Sequence, residues 1–90
     1  MASFYEGLER GAAEEIERLS RLMFELRNNR DQLLATWKVR EADALLERIR
    51  AGEVDEHPAY EAWLSLRILD DTRLATRTLL DERLWEMSLR

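Results

Sequence analysis

Residues 48–58, RIRAGEVDEHP, form the clearest helix boundary in the sequence. Gly52 follows two arginines, a pattern that is typical of the end of a helix. Glycine readily takes the left-handed conformation after the last turn. Arginine is favoured in the last turn itself, where its charge interacts well with the helix dipole. Pro58 follows an acidic run, and proline is favoured at the first helical position. We therefore predict a turn over residues 51–57, with His57 capping the next helix. A short turn makes the two flanking helices antiparallel neighbours.

The residues after this turn predict one long amphipathic helix, helix C, over residues 58–88. Apolar side chains recur in it at steps of three and four, which places them on one face. These are Trp63, Leu66, Leu69, Leu80, Leu84 and Met87, with Ile68, Ala75 and Leu79 beside them.

The residues before the turn carry two apolar stripes that differ in phase. Helix A, about residues 3–27, has Leu8, Ala12, Ile16, Leu19, Met23 and Leu26, and helix B, about residues 31–51, has Ala35, Val39, Ala42, Leu46 and Ile49. The phase changes at residues 28–31, where Asn and Asp side chains compete for backbone hydrogen bonds and permit a break. No Gly or Pro enforces one. The alternatives are a turn or one continuous helix of roughly 48 residues.

The composition indicates one all-α domain spanning residues 1–90. Apolar residues make up 46% and charged residues 37%, with 3 Gly and 1 Pro, which is typical of long amphipathic helices. So short a chain buries a smaller share of its surface than a larger domain does. We predict a helical hairpin or three-helix bundle that completes its core by dimerisation, most simply about a two-fold axis.

The charge pattern disfavours nucleic acid and membranes as partners. The net charge of −5 comes from 19 acids and 14 bases that are interleaved, so no basic stripe forms to bind phosphates. No segment approaches the roughly 20 apolar residues of a membrane helix, and the first residues do not resemble a signal peptide. We expect a cytoplasmic protein. The absence of cysteine excludes thiolate ligands and a Cys nucleophile.

The polar residues do not match a catalytic or metal-binding motif. His57 has Glu61 four residues on, but carboxylate-bridged di-metal bundles use paired Glu-x-x-His motifs, and none occurs. The neighbouring acids Asp70 and Asp71 point about 100° apart on a helix and do not share a face. We expect neither a metal nor a cofactor.

The apolar and aromatic side chains predict an association surface, because interfaces are enriched in aromatic residues and arginine. The predicted interface consists of Leu19, Met23, Leu26, Leu33, Trp37, Trp63 and Trp85. We predict a non-enzymatic helical interaction or regulatory module that acts as a homo-oligomer and can also bind another protein. An acidic inhibitor or antitoxin-like protein is an alternative that differs only in its partner.

One segment carries a family resemblance. Residues 60–84, with ILDDT at 68–72 and LL at 79–80, resemble the last helix of the small all-helical chorismate mutases. The resemblance implies three-helix chains that interlock as dimers. It also supplies an alternative function, the rearrangement of chorismate.

The resemblance implies five catalytic residues. Arg10, Arg27 and Lys38 fall at spacings similar to those of the cations on that family's first helix, and Arg40 and Glu41 resemble the Arg-Glu pair of its second helix. The chain departs from the family in two places. The loop between the first and second helices is missing, and Thr76 stands where the family has a glutamine.

Overall fold

The computed structural model shows a long helical hairpin that a short helix closes at one end. It describes residues 2–89, and the side chains of residues 9–89. The elements in chain order are α1 (Ala2–Trp37), α2 (Ala42–Arg50) and α3 (Glu56–Ser88). The all-α prediction is confirmed, and residues 2–89 contain no strand.

Two ion pairs between α1 and α3 show that these helices are antiparallel. Arg30 Nε lies 2.5 Å from Asp70 Oδ1, and Arg83 Nε lies 2.9 Å from Glu15 Oε1. The ion pair nearer the N-terminus of α1 uses the residue nearer the C-terminus of α3. The two pairs therefore fix the relative direction and the register of these helices. The result is a rod with principal extents of 65 × 17 × 16 Å.

The first helix break does not lie at residues 28–31, where the apolar stripe changes phase. The chain remains helical through this segment, and α1 ends at Trp37. Both asparagines are exposed and Arg30 is held by Asp70, so packing against α3 keeps the segment helical despite its weak propensity. The predicted helix B is therefore divided, because its first part belongs to α1 and only residues 42–50 form α2.

The break that was not predicted is a Schellman cap at Lys38. This residue has a φ of 55°, in the left-handed region. Its N–H donates to the carbonyl of Ala35 at 3.2 Å, and the N–H of Val39 donates to that of Leu34 at 3.0 Å. The two bonds satisfy the last carbonyls of α1, and Val39 packs against the core to which Leu34 belongs.

The second break repeats this geometry with glycine, as its sequence pattern predicts. Gly52 has a φ of 72°, and its N–H donates to the carbonyl of Ile49 at 3.1 Å. The helix assignment of α3 begins two residues earlier than predicted, at Glu56 after Asp55, but the backbone is not helical at His57, so the regular helix begins at Pro58 as predicted. His57 has an extended backbone, with φ −112° and ψ 120°, ahead of the regular helix that follows Pro58.

The fully covered core lies at the closed end, where α2 packs against α3. It consists of Leu34, Ala42, Leu45, Ala59, Ala62 and Leu66. Leu45 and Leu66 are completely buried, at 0% exposure each. The small side chains of Ala42, Ala59 and Ala62 leave room for these two leucines to pack. This cluster lies at the end of the hairpin that holds three helices, and Leu26 is the one described apolar side chain that is buried outside it.

Replacing Lys38 by glycine is expected to stabilise the protein by roughly 0.5–1 kcal/mol. Relief of the left-handed conformation is worth roughly 1–2 kcal/mol, and the added freedom of the unfolded chain offsets part of it. The Lys38 side chain is exposed, so no packed contact is lost. The measurement is the melting temperature at a fixed concentration. As a matched control, Gly52→Ala should destabilise, and two unchanged melting temperatures would contradict the assigned caps.

Candidate interaction surface

The short helix α2 covers only part of the hairpin. Its first turn reaches the level of Asp70, because Glu41 and Asp43 line a polar crevice of about 290 Å³ together with Arg67 and Asp70 of α3. In this crevice Arg67 lies 3.9 Å from Asp43, and Arg30 is bound to Asp70. The arginines of the crevice are therefore paired with carboxylates, and Asp70 marks the end of the three-helix part.

Beyond Asp70 the described part of the chain consists of two helices, and we call this part the open half (residues 9–27 of α1, residues 73–88 of α3, and Leu89). Apart from Leu26, which is 9% exposed, its inward apolar side chains are only half-buried: Ala12, Ile16, Leu19, Met23, Leu79, Leu80 and Met87. At its far end Leu84 is 47% exposed and Trp85 is 66% exposed. Two helices alone cannot enclose these side chains, so the open half lacks a closed apolar core.

A groove runs along one side of the open half. It has a volume of about 310 Å³ and is lined by Met23, Asp70, Arg73, Leu74 and Arg77. Leu74 is 68% exposed. Arg73 forms no salt bridge with any described residue, and Arg77 is paired only with Asp81, at 3.6 Å on the surface. The groove therefore combines an apolar floor with cations that remain accessible.

Arg83 joins the two helices at the far end of the open half. Its Nε donates to Glu15 Oε1 at 2.9 Å, and its Nη1 lies 3.3 Å from Glu86 Oε1. The hydrogen bond and charge of Glu15 hold the pKa of the Arg83 guanidinium above its usual value. The link orients α1 against α3.

The surface area of the single chain is large for its mass. The chain exposes 6843 Å², whereas a compact monomer of 10.7 kDa exposes about 5,500 Å². Its radius of gyration is 18.6 Å, against about 12 Å for a compact domain of this length. The area of 6843 Å² is that of all 90 residues, and it exceeds the compact value by about 1,300 Å², as an elongated shape requires.

The predicted interface residues fall into three groups. Leu33, Trp37 and Trp63 pack against the core of the same chain at the closed end, so they are partly covered without a partner. Leu26 lies in the open half but is only 9% exposed, between the two helices. The remaining three also lie in the open half, where Leu19 and Met23 are half-buried and Trp85 is exposed. Leu74 was not among the predicted interface residues. It lies eleven residues from both Trp63 and Trp85 and so shares their face of α3.

The cations implied by the family resemblance do not converge within the chain. Arg10 and Arg27 are exposed on α1 and separated by about 26 Å of helix. Arg27 borders a shallow depression on the outer side of α1 with Phe24, Asn28 and Asp31. Lys38 and Arg40 are exposed in the turn after α1.

The two remaining positions of the resemblance have local roles in the hairpin. Glu41 borders the crevice beside α2, away from Arg27. Thr76 is 7% exposed, and its hydroxyl donates to the carbonyl of Thr72 at 2.7 Å. Its donor is therefore used within α3.

His57 and Glu61 form a surface pair. Their side chains are 81% and 59% exposed, with 2.9 Å between His57 Nδ1 and Glu61 Oε1. Among residues whose side chains are described, no group of three or more His, Asp or Glu side chains is placed to hold a metal ion. In the same part of the chain, no helix combines the length and apolar character needed to cross a membrane.

The helix order and the partly open apolar side define a small all-α protein of the helical-hairpin class. The chain belongs to the Uncharacterized protein MJ0235 family, whose model matches residues 8–87. The match spans both the closed end and the open half. No curated protein and no solved structure matches the chain.

Proposed function

We propose that the protein is a non-enzymatic helical interaction module that acts as a homodimer, with the open half as its association surface. The observation that supports this proposal is the large surface area of the single chain. A single copy exposes about 1,300 Å² more than a compact monomer, and a standard protein interface buries about 800 Å² on each partner. Pairing of two open halves would convert two incomplete helix pairs into one four-helix core.

The chemistry of the open half supports association with a specific partner. Leu74, Leu84, Trp85 and Leu89 are between 47% and 68% exposed, and they alternate along α3 with charged side chains such as Arg77 and Asp81. Exposed apolar and aromatic groups supply affinity when they are desolvated, and interleaved charges set orientation and exclude wrong partners. Exposed apolar and aromatic side chains that are interleaved with charges are typical of a protein interface.

The concentration dependence of thermal unfolding tests the proposal. Unfolding of a dimer releases two chains, so its melting temperature rises with protein concentration. We expect an increase of roughly 5–10 °C over a hundredfold range of concentration, given the usual entropy of unfolding for chains of this size. Circular dichroism at 222 nm follows the transition directly. A melting temperature that does not change over this range would contradict the proposed dimer.

The enzyme alternative is separated from this proposal by a direct assay of chorismate. We expect no turnover, because fixed charges aimed at the transition state are required and the chain does not bring Arg10, Arg27 and Lys38 together. Arg27→Ala is the control for contaminating enzyme. Turnover that disappears in this variant, with its helix content unchanged, would favour the chorismate mutase alternative over the interaction module.

A further inference from the structure

We infer that two copies pair through the C-terminal halves of α3, which run antiparallel about a two-fold axis level with Leu79. Each copy's α3 then lies in the groove of the other, beside Met23. This register rests on the proposed function, because it assumes the homodimer and specifies which part of each open half contacts the other copy. The second copy of the chain is the partner.

The position of α2 indicates where a further helix fits. Trp63 and Leu74 lie eleven residues apart on α3 and therefore on nearly the same face, as do Leu34 and Met23 on α1. At the closed end this side is filled, because Leu34 belongs to the core that α2 completes and Trp63 packs against it. At Met23 and Leu74 the same side is an open groove. One helix in line with α2 would fill it.

The length of the free segment matches the length of the proposed occupant. The polar crevice at the start of α2 and the open groove share Asp70, so coverage by α2 ends there. From this level to the last residue of α3, Ser88, the helix runs for about 27 Å. Residues 70–88 of a second copy, placed antiparallel, have this same length. Their last residue therefore lies at the level of Asp70, where α2 begins.

The side chains of this stripe are self-complementary, as a two-fold interface requires. The stripe follows steps of four and three along α3: Asp70, Leu74, Arg77, Asp81, Leu84 and Ser88. Antiparallel pairing level with Leu79 sets Leu74 against the partner's Leu84, and Arg77 against the partner's Asp81. It also sets Asp70 against the partner's Ser88. Each apolar side chain of the stripe therefore faces an apolar one, and each charged side chain faces an opposite charge or a hydroxyl group.

Charge excludes the parallel arrangement of the same stripe. Parallel pairing about a two-fold axis sets each residue against its own copy, so Arg77 would face the partner's Arg77 and Asp81 the partner's Asp81. In the antiparallel arrangement the two arginines and two aspartates alternate around the axis. Arg77 and Asp81 already approach within 3.6 Å in one chain, and both are 62% exposed, so they are accessible to the second copy. Like charges that face each other destabilise an interface, and alternating charges favour it.

Spin-label distances test this register, and the chain has no cysteine that would interfere with labelling. Glu82→Cys places one label per chain near the axis, at an exposed position. Ser65→Cys places one at the closed end, also exposed, and far from the proposed contact. In the antiparallel dimer we expect a distance near 20 Å for the Glu82 label, since its two copies are offset by only about 9 Å of helix. For the Ser65 label we expect at least 40 Å, since its copies are offset by about 42 Å of helix.

Each other pattern of distances has its own meaning. Short distances at both positions would overturn the register in favour of parallel pairing. A short distance at Ser65 with a long one at Glu82 would overturn it in favour of pairing through the outer stripe of α3 that contains Tyr60, Leu64 and Ile68. Both of these outcomes leave the homodimer of the proposed function standing. The absence of any dipolar coupling at high concentration, in labelled protein of unchanged helix content, would overturn the homodimer itself.

Discussion

Replacement of Leu66 by alanine is expected to lower the free energy of unfolding by roughly 2–5 kcal/mol. The Leu66 side chain is 0% exposed and packs where α2 and α3 meet. Truncation removes buried methyl groups and leaves a cavity that the surrounding helices refill only in part. Native domains are stable by about 5–15 kcal/mol, so the loss is a large share of the total. Urea denaturation at one fixed protein concentration measures it.

Leu64 is a matched control for this substitution, because it lies on the same helix two residues away and is 39% exposed. The Leu64→Ala change removes the same atoms, and we expect a loss below about 1 kcal/mol, since little buried contact is deleted. Equal losses at the two positions would show that the closed end is not packed as described. A small loss at both would place the stabilising core elsewhere.

Replacement of Leu74 by glutamate is expected to weaken dimerisation by roughly 100-fold or more. Leu74 is 68% exposed in the single chain, so the change places no charge in the hairpin's own core. In the dimer it removes two buried leucines, each worth about 1.5–3 kcal/mol, and introduces two carboxylates into the contact. Sedimentation velocity over a dilution series measures the dissociation constant.

Phe24→Glu is the matched control for Leu74→Glu. Phe24 is 70% exposed, close to the exposure of Leu74, but it borders a depression on the outer side of α1. We expect its dissociation constant to remain within about threefold of the unaltered protein, as for a surface substitution away from the contact. If the two variants dimerise equally well, the groove beside Leu74 is not the association surface.

The helix breaks show which parts of the fold the sequence could predict. Both short connections are Schellman caps of the same geometry, with a left-handed residue after the last turn. The cap at Gly52 was predictable, because glycine favours this conformation. The cap at Lys38 was not, since lysine has no such preference and the cap depends on Val39 packing against the core. Of the two alternatives at residues 28–31, a turn or a continuous helix, the chain adopts the helix, because tertiary packing overrides weak helix propensity.

The candidate surface was predictable only in part. The apolar stripe of α1 predicted Leu19 and Met23 as interface residues, but the sequence could not show how much of the hairpin α2 covers. Because α2 covers the hairpin no further than the level of Asp70, Trp63 belongs to the closed end and Trp85 to the open half. The self-complementary stripe on α3 escaped detection because it contains Arg77 and Asp81, which a search for apolar periodicity passes over.

Sedimentation equilibrium of the unaltered chain at high micromolar concentration tests the central claim most directly. The open half of one hairpin is expected to be completed by that of another, so the measured molar mass should be twice the 10.7 kDa of the chain. Dilution should lower it toward the single-chain value with one dissociation constant. A mass of 10.7 kDa throughout the concentration range, with the helix content intact, would contradict the account, because the exposed apolar side of the hairpin would then be stable in water without a second copy.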